Sequence, residues 1–316
     1  MRAIEIRSFG GPDVLELVER PEPVPAGGEV LIEVTRAGVN FADLHQRTNS
    51  YVAQAELPLV PGAEVAGRRA DTGERVVALV GTGGYAQFAV APAERVFAIP
   101  DAVSDEQALA VLIQGTTAWH MYRTAAHLAP GESVVVHSAA GGVGSLAVQL
   151  GRTFEAGRIV ATATGTQRRA LALELGADAA VDGAAEGLTE RLIDAAQGPV
   201  DVVFDVSGGA VFDASYRALG PLGRIVVCGI ASREKNSVST GSLLRHSRAV
   251  IGFYLFHCLE RPGLFERALE ELFALVEADA LRVLVGGTYP LSQAARVHEE
   301  LRERRTSGKL VLDPAS

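Results

Sequence analysis

The sequence predicts an α/β protein of two domains, a β-rich domain followed by a doubly wound parallel sheet. Three observations carry this. Residues 1–100 hold many short alternating or β-branched runs separated by Gly and Pro turns. After residue 133, β-branched runs alternate with helix-forming runs, the pattern of a parallel sheet with crossover helices. That second region opens on SVVVHSAAGGVGSLAVQL, Ser133 to Leu150, which reads as strand, small-residue turn and helix.

In the first region, residues 3–6 alternate, and residues 15–18 form a second strand after the Gly10-Gly11-Pro12 turn. Pro21, Pro23 and Pro25 make an extended connector. Residues 29–34 are a strand ending near Gly38, and a helical patch covers 41–47. Strands at 65–67, 75–79 and 85–90 complete a partly closed β-barrel. Ser104 is read as an N-cap, with Gln107 at the capping-box position. Helical runs at 108–113 and 117–128 are separated by Gly115.

In the second region, strands at 158–163, 180–182, 200–205, 223–228 and 250–255 alternate with helices at 167–175, 188–196 and 212–219. A helix at 265–278 follows. Short strands at 288–291 and 309–312 then flank a helix at 292–304, and this tail is expected to return to the first domain. The expected limits are 1–118 for the first domain, completed by 257–316, and 119–256 for the second.

With 316 residues the chain can bury a large core. A net charge of −9 argues against nucleic acid or an anionic membrane as the main partner. No stretch is apolar for long enough to span a bilayer, and the N-terminal residues have no signal-peptide pattern. The two cysteines, Cys228 and Cys258, exclude a disulfide framework. Together these predict a cytoplasmic location.

The turn Ala139-Ala140-Gly141-Gly142-Val143-Gly144 is an AxGxxG version of the dinucleotide fingerprint. Glycine there lets backbone N–H groups at a helix N-terminus approach a pyrophosphate, although tight strand-to-helix packing alone produces similar turns. The next strand ends in Thr164-Gly165-Thr166-Gln167-Arg168-Arg169, without the acid that holds a ribose 2′-hydroxyl. A basic pair in place of an acid suits a 2′-phosphate and predicts NADPH, against the alternative of two solvated arginines.

Several stretches together resemble one family: residues 10–15 (GGPDVL), 37–43 (AGVNFAD), 61–64 (PGAE), 137–144 (HSAAGGVG) and 307–312 (SGKLVL). They are similar to the medium-chain dehydrogenase/reductase superfamily in its zinc-free quinone oxidoreductase branch, in order and spacing along essentially the whole chain. The resemblance implies a GroES-like barrel followed by a Rossmann domain, with the active site in the cleft between them. It also implies a homodimer formed through the edge strand near residues 251–255.

Zinc members of the superfamily would have Cys near Asn40 and His at Ala63, and a loop of four cysteines missing here, so no metal is expected. The resemblance assigns Asn40 as polar anchor and Tyr51 as donor or proton source. The alternatives are a turn-capping amide and a half-buried aromatic. His45 stands where Tyr is common in the family, and is either a proton donor or a surface residue. The expected cofactor set is Thr117, Ala140, Gly141, Gly142, Val143, Gly144, Thr164, Arg168, Arg169, Gly229, Phe253 and Lys309. Arg168 falls where the family has a phosphate-binding Lys.

The implied activity is NADPH-dependent hydride transfer to a quinone or an α,β-unsaturated carbonyl, in which hydrogen-bond donors stabilise charge on the acceptor oxygen. Two alternatives stay open: an enoyl-thioester reductase, and a non-catalytic NADPH-binding protein recruited for structure or a partner.

Overall fold

A computed structural model describes residues 1–50 and 55–316, which form two compact units: Met1–Ile113 with Phe273–Ser316, and Gln114–Leu272. The expected limits were 118 and 256.

In the first unit, β1 (Arg2–Glu5) pairs antiparallel with β2 (Glu16–Glu19). The long strand β3 (Glu29–Val39) buries Val30, Ile32 and Val34 on alternate positions. It leads through Asn40 into α1 (Phe41–Arg47). Strands β4 (Glu64–Arg69), β5 (Arg75–Leu79), β6 (Phe88–Pro92) and β7 (Val96–Ala98) follow. The strand expected at 85–90 starts three residues later, because Tyr85 and Ala86 are spent on a turn and an isolated bridge to Ala3. Ser104 caps α2 (Asp105–Leu109), with the reciprocal Gln107 bonds in place.

The break expected at Gly115 is absent. The helix runs on through wider turns into α3 (Thr116–His120) and to Ala126, since the buried apolar face at Val111, Leu112, Ala118 and Trp119 outweighs the low propensity of one glycine.

In the second unit, β8 (Ser133–Val136) leads into α4 (Gly142–Thr153), then β9 (Arg158–Thr162), α5 (Thr166–Glu174), β10 (Ala179–Val181), α6 (Leu188–Ala196), β11 (Val200–Asp205), α7 (Gly209–Ala218) and β12 (Leu219–Val227). A short helix, α8 (Thr240–His246), precedes the edge strand β13 (Ala249–Gly252); the sequence reading contained no helix there. The sheet order is β10-β9-β8-β11-β12-β13, with every pairing parallel. β8 is therefore the point where strand order reverses. Val134, Val135 and Val136 are all buried, as expected for a central strand covered on both faces.

The tail holds α9 (Leu264–Glu277), β14 (Val285–Pro290), α10 (Ala294–Arg302) and β15 (Lys309–Asp313). β15 returns to pair antiparallel with β3, completing a sheet that has seven strands among the described residues and in which β15, β3 and β4 lie side by side.

Candidate active site

The first cluster is built by that neighbourhood. Asn40 leaves the end of β3, and Glu64 and Lys309 are the first residues of the two flanking strands. Glu64 and Lys309 are completely buried and Asn40 nearly so. Asn40 Nδ2 donates to Glu64 Oε1 at 2.7 Å, and Lys309 Nζ donates to Asn40 Oδ1 at 3.2 Å. Lys309 also donates to Val39 O at 3.4 Å and forms a short ion pair with Glu64. The three ammonium donors thus have three acceptors, as a fully buried lysine requires. Gly38 makes room for this: a Cβ there would stand 2.5 Å from Glu64 Oε1.

Asp43 extends the cluster. Its carboxylate accepts from Asn40 N–H at 2.8 Å, closing the N-terminal turn of α1, and from Tyr85 Oη–H at 2.9 Å. Burial pushes the carboxyl up to about 6, against the opposing pull of these donors and of Lys309. Tyr85 is in turn 3.0 Å from His298 Nε2. With Asp43 ionised, the phenol proton goes to the carboxylate, so His298 Nε2–H donates to the phenol oxygen. Burial holds this imidazole down to about 3, hence neutral. His45 is buried on α1 itself, 3.1 Å from Ser50 Oγ and edge-on to Phe41. Tyr51 lies outside the described residues.

The second cluster gathers at the C-terminal ends of the parallel strands, where ligands of doubly wound sheets bind. Ala140 to Gly144 form the turn from β8 into α4. A Cβ on Gly144 would collide with Ser138 O and Ala139 Cα, and one on Gly141 would stand 3.2 Å from Ser138 O. The fit to a pyrophosphate is therefore good: small residues frame the first turn of a 12-residue helix. Under the turn, buried His137 links Thr162 Oγ1 at 2.8 Å to Ser215 Oγ at 2.7 Å, and burial lowers it to about 4.

Thr164 is exposed just past β9, and Arg168 donates to its Oγ1 at 3.1 Å. Arg169 pairs instead with Asp182 at 3.0 Å. Gly229 follows β12, where a Cβ would stand 2.8 Å from Val206 O. Phe253 follows β13, its ring 6.0 Å from that of buried His120, one turn along α3 from Thr117.

Two expectations change. Lys309, expected in the cofactor set, belongs to the first cluster, with its ammonium fully enclosed by Val39, Asn40 and Glu64. The helix start expected at residue 117 is absent, because the helix is continuous there. Tyr85 and His298 were missed; nothing local in the sequence marks them, because their partners lie 42 and 213 residues away along the chain.

Two family models match, the alcohol dehydrogenase GroES-like domain over residues 26–101 and the zinc-binding dehydrogenase model over residues 142–274. A quinone oxidoreductase from Pseudomonas aeruginosa is 31% identical, over 99% of each chain. The human synaptic vesicle membrane protein VAT-1 homolog is also 31% identical, over 99% of this chain and 86% of its own. The crystal structure of Escherichia coli quinone oxidoreductase complexed with NADPH superposes with a TM-score of 0.94 at 31% identity, covering 99% of this chain and all of that one. The chain belongs to the quinone oxidoreductase branch of the medium-chain dehydrogenase/reductase family.

Proposed function

We propose that this protein is an NADPH-dependent, zinc-independent reductase of quinones or other activated alkenes. The observation that carries the reading is the glycine turn followed, at the end of β9, by Thr164 and Arg168 in place of an acid. The likeness to a quinone oxidoreductase solved with NADPH supports it. Bound at this unit, NADPH supplies the hydride. Gly141, Gly142, Val143 and Gly144 accommodate the pyrophosphate with Ala140, and Arg168 pairs with the 2′-phosphate. Thr117, Gly229 and Phe253 line the nicotinamide end.

Asn40 is the polar anchor for the acceptor carbonyl, opposing charge that develops on its oxygen. Tyr51 or His45 supplies the proton. A metal ion is not needed for this chemistry. A cation placed beside Glu64 would face the fixed ammonium of Lys309, which repels it.

The protein is further proposed to dimerise through the edge strand β13, where Val250 is exposed; sedimentation as a monomer at micromolar concentration sinks that part. The likeness to the VAT-1 homolog favours a second reading, an NADPH-binding protein serving a partner. No helix among the described residues is long and apolar enough to cross a membrane.

The deciding experiment follows consumption of the reduced nicotinamide against para-benzoquinone and a crotonyl thioester side by side. Quinone turnover supports the proposal. Thioester turnover alone moves the protein to the enoyl reductases. Tight NADPH binding without turnover of either moves it to the second reading.

A further inference from the structure

We propose that Glu64 and Lys309 are positioning residues that fix the orientation of the Asn40 amide. This rests on the reading of Asn40 as the acceptor's polar anchor. A side-chain amide is nearly symmetric in shape, and a half-turn about its last torsion exchanges donor and acceptor. Here the two ends face opposite charges. Glu64 Oε1 accepts from Nδ2 at 2.7 Å, and Lys309 Nζ donates to Oδ1 at 3.2 Å. A flipped amide would set N–H against an ammonium and C=O against a carboxylate, inside a site with almost no access to water. One orientation is therefore enforced, and the polarity that Asn40 presents is constant.

The competing explanation is that the ion pair merely holds β15 and β4 against β3. That role does not need charge. Buried pairs are weak contributors to stability, and apolar residues of similar volume serve as well or better. The backbone ladders already hold the strands, through Leu310 to Val39 on one side and Val65 to Ala37 on the other. What an apolar pair cannot do is tell the oxygen of an amide from its nitrogen. Three motifs far apart in the chain, around Asn40, Glu64 and Lys309, form one device.

The test compares the wild type with K309M and with the double variant E64Q/K309M, which removes both charges and keeps the volume. The double variant is expected to melt near the wild type and to bind NADPH with unchanged affinity. Its turnover of para-benzoquinone at saturating NADPH should fall by about tenfold or more, because the anchor is no longer held in one geometry. In nitrogen-15-labelled protein, exchange of the Asn40 Nδ2 protons with water should quicken by about tenfold as the charge-assisted bond is lost.

Wild-type turnover together with wild-type amide exchange in the double variant would overturn the proposal and leave the pair a structural one. A K309M protein with weakened NADPH binding and full turnover at saturation would also overturn it, making Lys309 a cofactor ligand. If the wild type turns over no acceptor, or N40A turns over as fast as the wild type, it is the reading of Asn40 that fails. The amide-exchange comparison still decides whether Glu64 and Lys309 hold the amide.

Discussion

Arg169, on the first turn of α5, donates at 3.0 Å to Asp182, which stands one residue beyond the Val181–Thr162 pairing of β10 with β9. The end of β9 has no acid of its own, yet the sheet brings one alongside, and Arg169 neutralises it. On the proposed reading, Arg168 rather than Arg169 meets the 2′-phosphate. R168A is expected to weaken NADPH binding by about 10- to 100-fold, the loss of one charge-assisted contact, with little change for NADH. R169A exposes the Asp182 charge, and should weaken NADPH by about fivefold while shifting preference toward NADH. Fluorescence titration with both nucleotides checks each variant. Equal losses for the two would show that neither arginine reads the phosphate.

Buried titrating groups set the acid response. Asp43 is raised from 3.8 to about 6, so the folded state holds its proton more tightly and this term favours folding as pH falls from 6 to 4. His120 and His137 are lowered to about 4 and His298 to about 3, so the unfolded chain takes up three protons that the folded chain refuses over the same window. The net difference is two protons. Stability should fall by roughly 3 kcal/mol per pH unit of acidification from these groups. D43N removes the opposing term and should steepen the fall by about half. Denaturant titrations between pH 6 and 4 measure both slopes, and a flatter D43N profile would refute the assignment.

The glycines of the turn differ in what they protect. G144A drives a Cβ into the Ser138 carbonyl, a backbone neighbour that cannot step aside, and should destabilise the protein by about 1–3 kcal/mol. G141A meets the same carbonyl at 3.2 Å, a milder approach. Its fold should persist while NADPH affinity drops, because the proposed pyrophosphate contact needs close approach to this backbone. Thermal melts beside binding isotherms separate the two; a G141A protein with unaltered affinity would remove this turn from the cofactor site.

Dialysis against a strong chelator should leave quinone turnover unchanged, and added zinc should not raise it. Loss of activity on dialysis, restored by zinc, would show that Glu64 serves a metal and that the Lys309 pairing is not its resting partner.

The sequence by itself determined the elements and the chemistry of the nucleotide turn. Strand and helix periods are local signals, and so are the Ser104 capping box, the small residues of the turn and the missing acid after β9. The strand at 200–205 and the helices at 41–47 and 188–196 fell where the patterns put them. What only the tertiary structure decided was the company each polar residue keeps. Lys309 reaches Asn40 across 269 residues because β15 returns to pair with β3, and Asp182 meets Arg169 because β10 lies beside β9. His298 reaches Tyr85 in the same way. A buried polar group must find a partner, but which partner is set by strand pairing and loop closure, and neither leaves a mark at the residues themselves.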